Sequence, residues 1–110
     1  MTPLLYVDLI RKELHCCNCM KKKPIDPHHI RQVGMGRDRK KELIEHYSCI
    51  PLCRKCHTEY HDLGKTEFEK KNKIDVFEQS QHYLSKYIYK VFLQYDELIK
   101  KKDKENGTKN

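Results

Sequence analysis

Two pairs of cysteines constrain this chain more than any other feature. Cys16-x-x-Cys19 and Cys53-x-x-Cys56 are C-x2-C knuckles. Each can aim two thiolates at one tetrahedral ion about 2.3 Å away. The 33 residues between the knuckles exceed the usual ribbon spacing, so an insertion with its own structure is expected there. Cys17 and Cys49 are left over, and only Cys16 stands two residues from Cys19, so both extras read as free thiols. The need for a staple follows from composition. A chain of 110 residues that is 37% hydrophobic, with a mean hydropathy of −0.92, buries only a thin core. Metal affinity converted into folding free energy, on the order of 10 kcal/mol in isolated zinc modules, offsets that deficit. A redox dithiol, or plain buried cysteines, is the competing reading of the same residues. A closed tetrathiolate shell holds a fold and does no chemistry, so function is sought elsewhere.

Lys and Arg number 23 against 16 Asp and Glu, a formal charge of +7, which makes a polyanion the expected partner. No basic leader precedes the short apolar run Leu4-Leu5-Tyr6-Val7, and no stretch approaches bilayer-spanning length. A membrane is therefore not an expected partner, and the expected setting is a reducing cytoplasm, where paired cysteines favour zinc over disulfides.

Thr2 and Pro3 read as the cap and first position of a helix over 3–14. Turn formers fill 15–27. His28–Val33 and Tyr47–Leu52 read as two strands of a hairpin with a long connection, and Pro51 restricts the second to an edge or an end. Cys53–Leu63 reads as a helix stopped by Gly64, and Thr66-x-x-Glu69 fits a capping box for the next one. From Val76 to about Lys102, Phe77, Leu84, Ile88, Val91, Tyr95, Leu98 and Ile99 trace an apolar stripe down a long helix. The chain thus divides into an N-terminal helix (1–15), a zinc-stapled core (16–75), a C-terminal helix (76–102) and a disordered tail (103–110).

The histidines form a second constellation. His28 and His29 are adjacent on the predicted strand and point to opposite faces. His57 and His61 stand four apart on the helix behind the second knuckle, which puts both imidazoles on one face, within reach of a shared ion. Three neutral imidazoles leave coordination positions open, and a fourth can take a proton from water near neutral pH. This chemistry suits phosphodiester hydrolysis. His15, His46 and His82 have no partners at ligand spacing and read as surface residues.

The run Asp26-Pro27-His28-His29-Ile30, the strand Cys49-Ile50-Pro51-Leu52 and the segment Cys53-Arg54-Lys55-Cys56-His57-Thr58-Glu59-Tyr60-His61 together resemble the HNH endonucleases. The closest likeness is to small HNH proteins of bacteriophages and prophages, and it spans roughly Cys16 to Phe68. The resemblance implies an α+β chain with a ββα-metal core. It also implies His28 as the first ligand of a catalytic divalent ion, His57 and His61 as the helix-borne ligands, and His29 as the base that activates water. In some relatives the last histidine contacts phosphate instead. The family often carries a base-orienting asparagine nine residues before the first helix histidine; here that position is Ser48.

Lys22, Lys23, Arg37, Arg39, Lys40 and Lys41 flank the predicted site and are candidate contacts to DNA phosphates. Gly34 and Gly36 beside Arg37 allow close backbone approach to a phosphate. No recognition helix is identifiable, so little direct base readout is expected. The sequence-level reading is a metal-dependent DNA endonuclease that uses a structural zinc ion and one catalytic Mg2+, Mn2+, Ni2+ or Zn2+ ion, in a bacterial or phage-infected cytoplasm. The apolar excess of the last helix suggests a homodimer. The alternative is a catalytically inactive zinc-stapled nucleic-acid-binding module.

Overall fold

The computed structural model describes residues 1–21, 24–34 and 36–105. The predicted phosphate contacts of Lys22 and Lys23, and the tail beyond residue 105, lie outside the described residues.

Helix α1 (Pro3–Arg11) starts at the expected cap: the Thr2 hydroxyl accepts the Leu5 N–H at 3.2 Å, and Pro3 occupies the first turn, where its missing N–H costs nothing. Tyr6, Val7 and Ile10 form its buried face. The helix ends short of the predicted residue 14. The Lys12 N–H closes on the Asp8 and Leu9 carbonyls, and Leu14, 64% exposed, has no core to join.

The hairpin is β1 (Ile25–His29) antiparallel to β2 (Cys49–Cys53), with Ile25 opposite Cys53 and His29 opposite Cys49. Both strands are displaced from their predicted positions, β1 by three to four residues. The anchor of β1 is buried Ile25 rather than the Ile30–Val33 stretch. A 3₁₀ turn (Ile44–Ser48) occupies the predicted start of β2. The register explains how two prolines share a two-stranded ladder. Pro27 faces Pro51, and the Ile30 N–H to Ser48 carbonyl bond sets the alternation so that this pair is a non-hydrogen-bonded one. At such a pair the N–H positions point away from the partner strand, so neither missing N–H removes a rung. The outward Pro51 carbonyl accepts the Cys17 N–H at 2.9 Å and ties the first knuckle to the sheet.

Helix α2 (Arg54–Leu63) follows β2 directly, with Cys53 as its N-cap rather than its first residue. Gly64, at φ 82°, ends α2 and starts α3 (Lys65–Asn72): its N–H bonds the Tyr60 carbonyl and its own carbonyl accepts the Phe68 N–H. Only a residue that tolerates positive φ makes this corner without strain. The predicted Thr66–Glu69 capping box does not form, because α3 starts two residues too early for it, with Gly64 at the cap position. The Glu69 carboxylate instead pairs with Lys65 and accepts the first N–H of α4 (Val76–Glu105). Asp75 adds a second cap to α4 through the Glu78 N–H. The helix runs past Lys102, where the tail was expected to begin.

Two apolar clusters hold these elements. Ile25, Ile50, Leu52, Tyr60, Phe68 and Val76 pack around Cys16, Cys53 and Cys56. Tyr6, Val7, Ile10 and Tyr87 pack with Cys49 and fasten α1 to α4. Burial pushes the Cys17 and Cys49 thiols up to about 12, as befits inert thiols beside these cores. The architecture is the expected α+β class: a hairpin followed by a helix, with an N-terminal helix and a long C-terminal one. Among the described residues no helix is long and apolar enough to cross a membrane.

Candidate active site and metal centres

The four knuckle cysteines converge, with their sulfur atoms all within 4.8 Å of one another and Cys19 Sγ 3.6 Å from Cys53 Sγ. Backbone N–H groups of Asn18 and Cys19 point at Cys16 Sγ, and that of Cys56 points at Cys53 Sγ, at 3.4 to 3.5 Å. Donors aimed at sulfur favour the thiolate, the form that binds metal. The Asn18 amide donates to Cys56 Sγ and also to Asn72 Oδ1, so the cluster is braced against α3. This set of four sulfurs can hold a metal ion.

The histidines assemble into a second cluster. β1 delivers His28, α2 delivers His57 and His61 one turn apart, and one nitrogen of each lies within 4.8 Å of the other two. The His57 and His61 Nε2 atoms are 3.0 Å apart. His28 is 4% exposed, its ring is held 4.0 Å from that of Tyr60, and its Nε2 is buried without a hydrogen-bond partner. An orphaned imidazole nitrogen costs free energy unless something ligates it. Burial, reinforced by the neighbouring imidazoles His57 and His61, pushes His28 down to about 3, so it is neutral at pH 7, as a ligand must be. These three donors fit a divalent ion with open positions.

Asp26, two residues before His28 on β1, sets the orientation of His57. Its carboxylate lies 3.1 Å from His57 Nδ1 and is bound by Arg54 Nε and Nη2. The Arg54 hydrogen bonds, followed by that from His57, hold the Asp26 carboxyl below its usual range. An ionised Asp26 only accepts, so His57 carries its proton on Nδ1 and turns the Nε2 lone pair toward His61 and His28.

His29 points the other way from His28, as strand alternation demands, yet both line one cavity of about 300 Å³ together with Pro27, Gln32, Val33, Arg39, His57 and His61. The outer ring nitrogen of His29, Nε2, is 2.9 Å from His46 Nδ1, and His46 Nε2 is 2.8 Å from the Lys41 carbonyl. Burial, then the electrostatic repulsion that a second proton on the ring would meet from the facing His46 and from Arg39, lowers His29 to about 4. His46 is the clearest correction to the sequence reading. It is 2% exposed rather than on the surface, because the 3₁₀ turn tucks it under His29. Its spacing from the other histidines carried no signal.

The Ser48 hydroxyl is not hydrogen-bonded to the His29 ring. It accepts the Arg31 N–H at 3.0 Å and donates to the Glu45 carbonyl at 2.7 Å, which fixes the backbone leaving β1 and the turn that carries His46. Of the basic candidates, Arg39 lines the cavity and Arg37 is paired with Glu45. Lys40 and Lys41 are exposed on the loop before the 3₁₀ turn and do not line the cavity. Asp26, Arg54, Tyr60, Gln32 and Asn18 join the two sites without having been assigned roles from sequence. Only Asp26 carried a local signal, its two-residue offset from His28 along a strand.

No curated protein and no solved structure matches the chain. A family model described as "Putative HNHc nuclease" matches residues 4–90. That stretch is wider than the Cys16–Phe68 likeness seen in the motifs, and it takes in α1, both cysteine pairs, the whole histidine cavity and the first half of α4. A match over most of the length, on a ββα core that gathers these histidines, establishes that the chain belongs to the HNH nuclease family.

Proposed function

We propose that this protein is a metal-dependent DNA endonuclease whose core, residues 16–75, carries both sites. The observation that supports it most is the meeting of His28, His57 and His61 around a buried, unpartnered nitrogen, with His29 on the same cavity. His28, His57 and His61 would hold Mg2+, Mn2+, Ni2+ or Zn2+. When bound, the ion supplies Lewis-acid stabilisation of charge on the phosphoryl and departing oxygens. His29, neutral at physiological pH, takes the proton of the attacking water. Arg39 pairs with a phosphate at the cavity wall. Asp26 keeps His57 in its ligating tautomer, and Ser48 holds the chain that follows His29. Zn2+ on Cys16, Cys19, Cys53 and Cys56 staples the fold.

Incubation of supercoiled plasmid with Mg2+, Mn2+ or Ni2+ tests the reading. The expected result is metal-dependent nicking that disappears in His29→Ala. Retained DNA binding with no cutting by the wild type would instead support the inactive zinc-stapled module.

A second copy of the chain is the proposed partner of the apolar seam of α4. Leu84, Ile88, Val91, Tyr95 and Leu98 recur at alternating intervals of four and three, the seam spacing of paired helices. All but Leu84 are exposed, and the seam opens at its base into an apolar hollow of about 500 Å³ lined by Met1, Ile44 and Tyr47.

A further inference from the structure

We infer that His46 is the positioning residue for His29: it selects the ring tautomer that leaves the lone pair of His29 on Nδ1. The inference rests on the reading of His29 as the base and deepens it. The Lys41 carbonyl can only accept. His46 Nε2, 2.8 Å away, therefore carries a proton. With one proton per ring, His46 Nδ1 is then an acceptor, and the atom facing it at 2.9 Å, His29 Nε2, must be the donor. The proton of His29 is thereby pinned on Nε2, and Nδ1 is left as the basic nitrogen. A ring without this partner would divide between two tautomers, only one of which presents a base at a given place.

The surroundings of His46 leave it no other evident task. It is almost wholly buried, both nitrogens are engaged, and neither lies among the ligand atoms of the histidine cluster. The turn that carries it is closed by Ser48, whose hydroxyl bonds the Glu45 carbonyl and the Arg31 N–H just past His29. One small network thus fixes both ends of the His29–His46 contact. In this chain the hydroxyl at position 48 secures backbone, and the imidazole of His46 orients the His29 ring.

Two substitutions and a spectroscopic measurement test this. His46→Leu removes the acceptor, whereas His46→Gln keeps a carbonyl oxygen and an amide N–H at about the separation of the ring nitrogens. Long-range 1H–15N spectra of the zinc-loaded protein should show His29 protonated on Nε2 in the wild type and in His46→Gln, and a mixture of tautomers in His46→Leu. Nicking turnover should fall roughly 100-fold or more in His46→Leu, as wrong-tautomer variants of other histidine bases do, with unchanged DNA affinity, and should largely recover in His46→Gln. An unchanged His29 tautomer in His46→Leu, or equal losses in both variants, overturns the inference. A wild type that cuts no DNA counts against the endonuclease reading instead, and the tautomer of His29 then decides the role of His46 by itself.

Discussion

A carboxylate oxygen of Asp26 lies 3.1 Å from Nδ1 of His57, while the same carboxylate is gripped by two nitrogens of Arg54. The first residue belongs to β1 and the second to α2, so one short contact couples the hairpin to the helix that bears two of the three candidate ligands. Arg54 is largely exposed, which makes its pairing weak in itself; its effect is to hold the carboxylate still and ionised.

Asp26→Ala should therefore weaken the histidine site without touching the cysteine site. Titration of Mn2+ or Zn2+ into protein whose cysteine site is already filled should show a loss of affinity of roughly 10- to 100-fold. Unchanged affinity would mean that His57 orients itself.

The two metal centres should part company on mutation. Cys53→Ser is expected to lose its zinc and unfold, since Cys53 is a candidate ligand, the N-cap of α2 and a core residue together. His57→Ala should fold, melt near the wild-type temperature and keep one equivalent of zinc. Metal analysis with thermal denaturation checks both; a Cys53→Ser protein that retains zinc and melts normally would remove the staple from the argument.

Acid should destabilise the protein through its buried imidazoles. In the folded chain His28 and His29 stand at about 3 and about 4, against about 6.5 for a solvated histidine. Between those values the unfolded chain binds protons that the folded chain refuses. Their contribution is present above pH 6.5 and is lost as pH falls toward 4 and below. Urea denaturation at pH 7 and pH 5 should show a smaller acid loss in His28→Phe than in the wild type, with the cysteine contribution common to both. Equal losses would show that His28 has no depressed value to lose.

The apolar seam of α4 offers a test of assembly. Ile88→Glu combined with Leu98→Glu should convert a dimer into a monomer by light scattering, at little cost to the fold, because both side chains are already exposed in the single chain. A wild type that is monomeric at high concentration would refute the dimer.

What the amino-acid sequence determined by itself was whatever depends on near neighbours. The cap at Thr2, the stop at Gly64, the two C-x2-C pairs and the four-residue interval between His57 and His61 are all set within one turn or one knuckle, where covalent geometry leaves few arrangements. They carried the fold class and both ligand clusters. Tertiary structure decided the rest. The register of the hairpin depends on Pro27 meeting Pro51 at a rung that needs no N–H, a condition neither strand expresses alone. The partnership of Asp26 with His57 spans 31 residues, and that of His29 with His46 spans 17. Histidine is common both in cores and on surfaces, so nothing local separates His46 from His82. Only the packing of the 3₁₀ turn beneath β1 excludes water from His46, and that exclusion gives its two hydrogen bonds their orienting force.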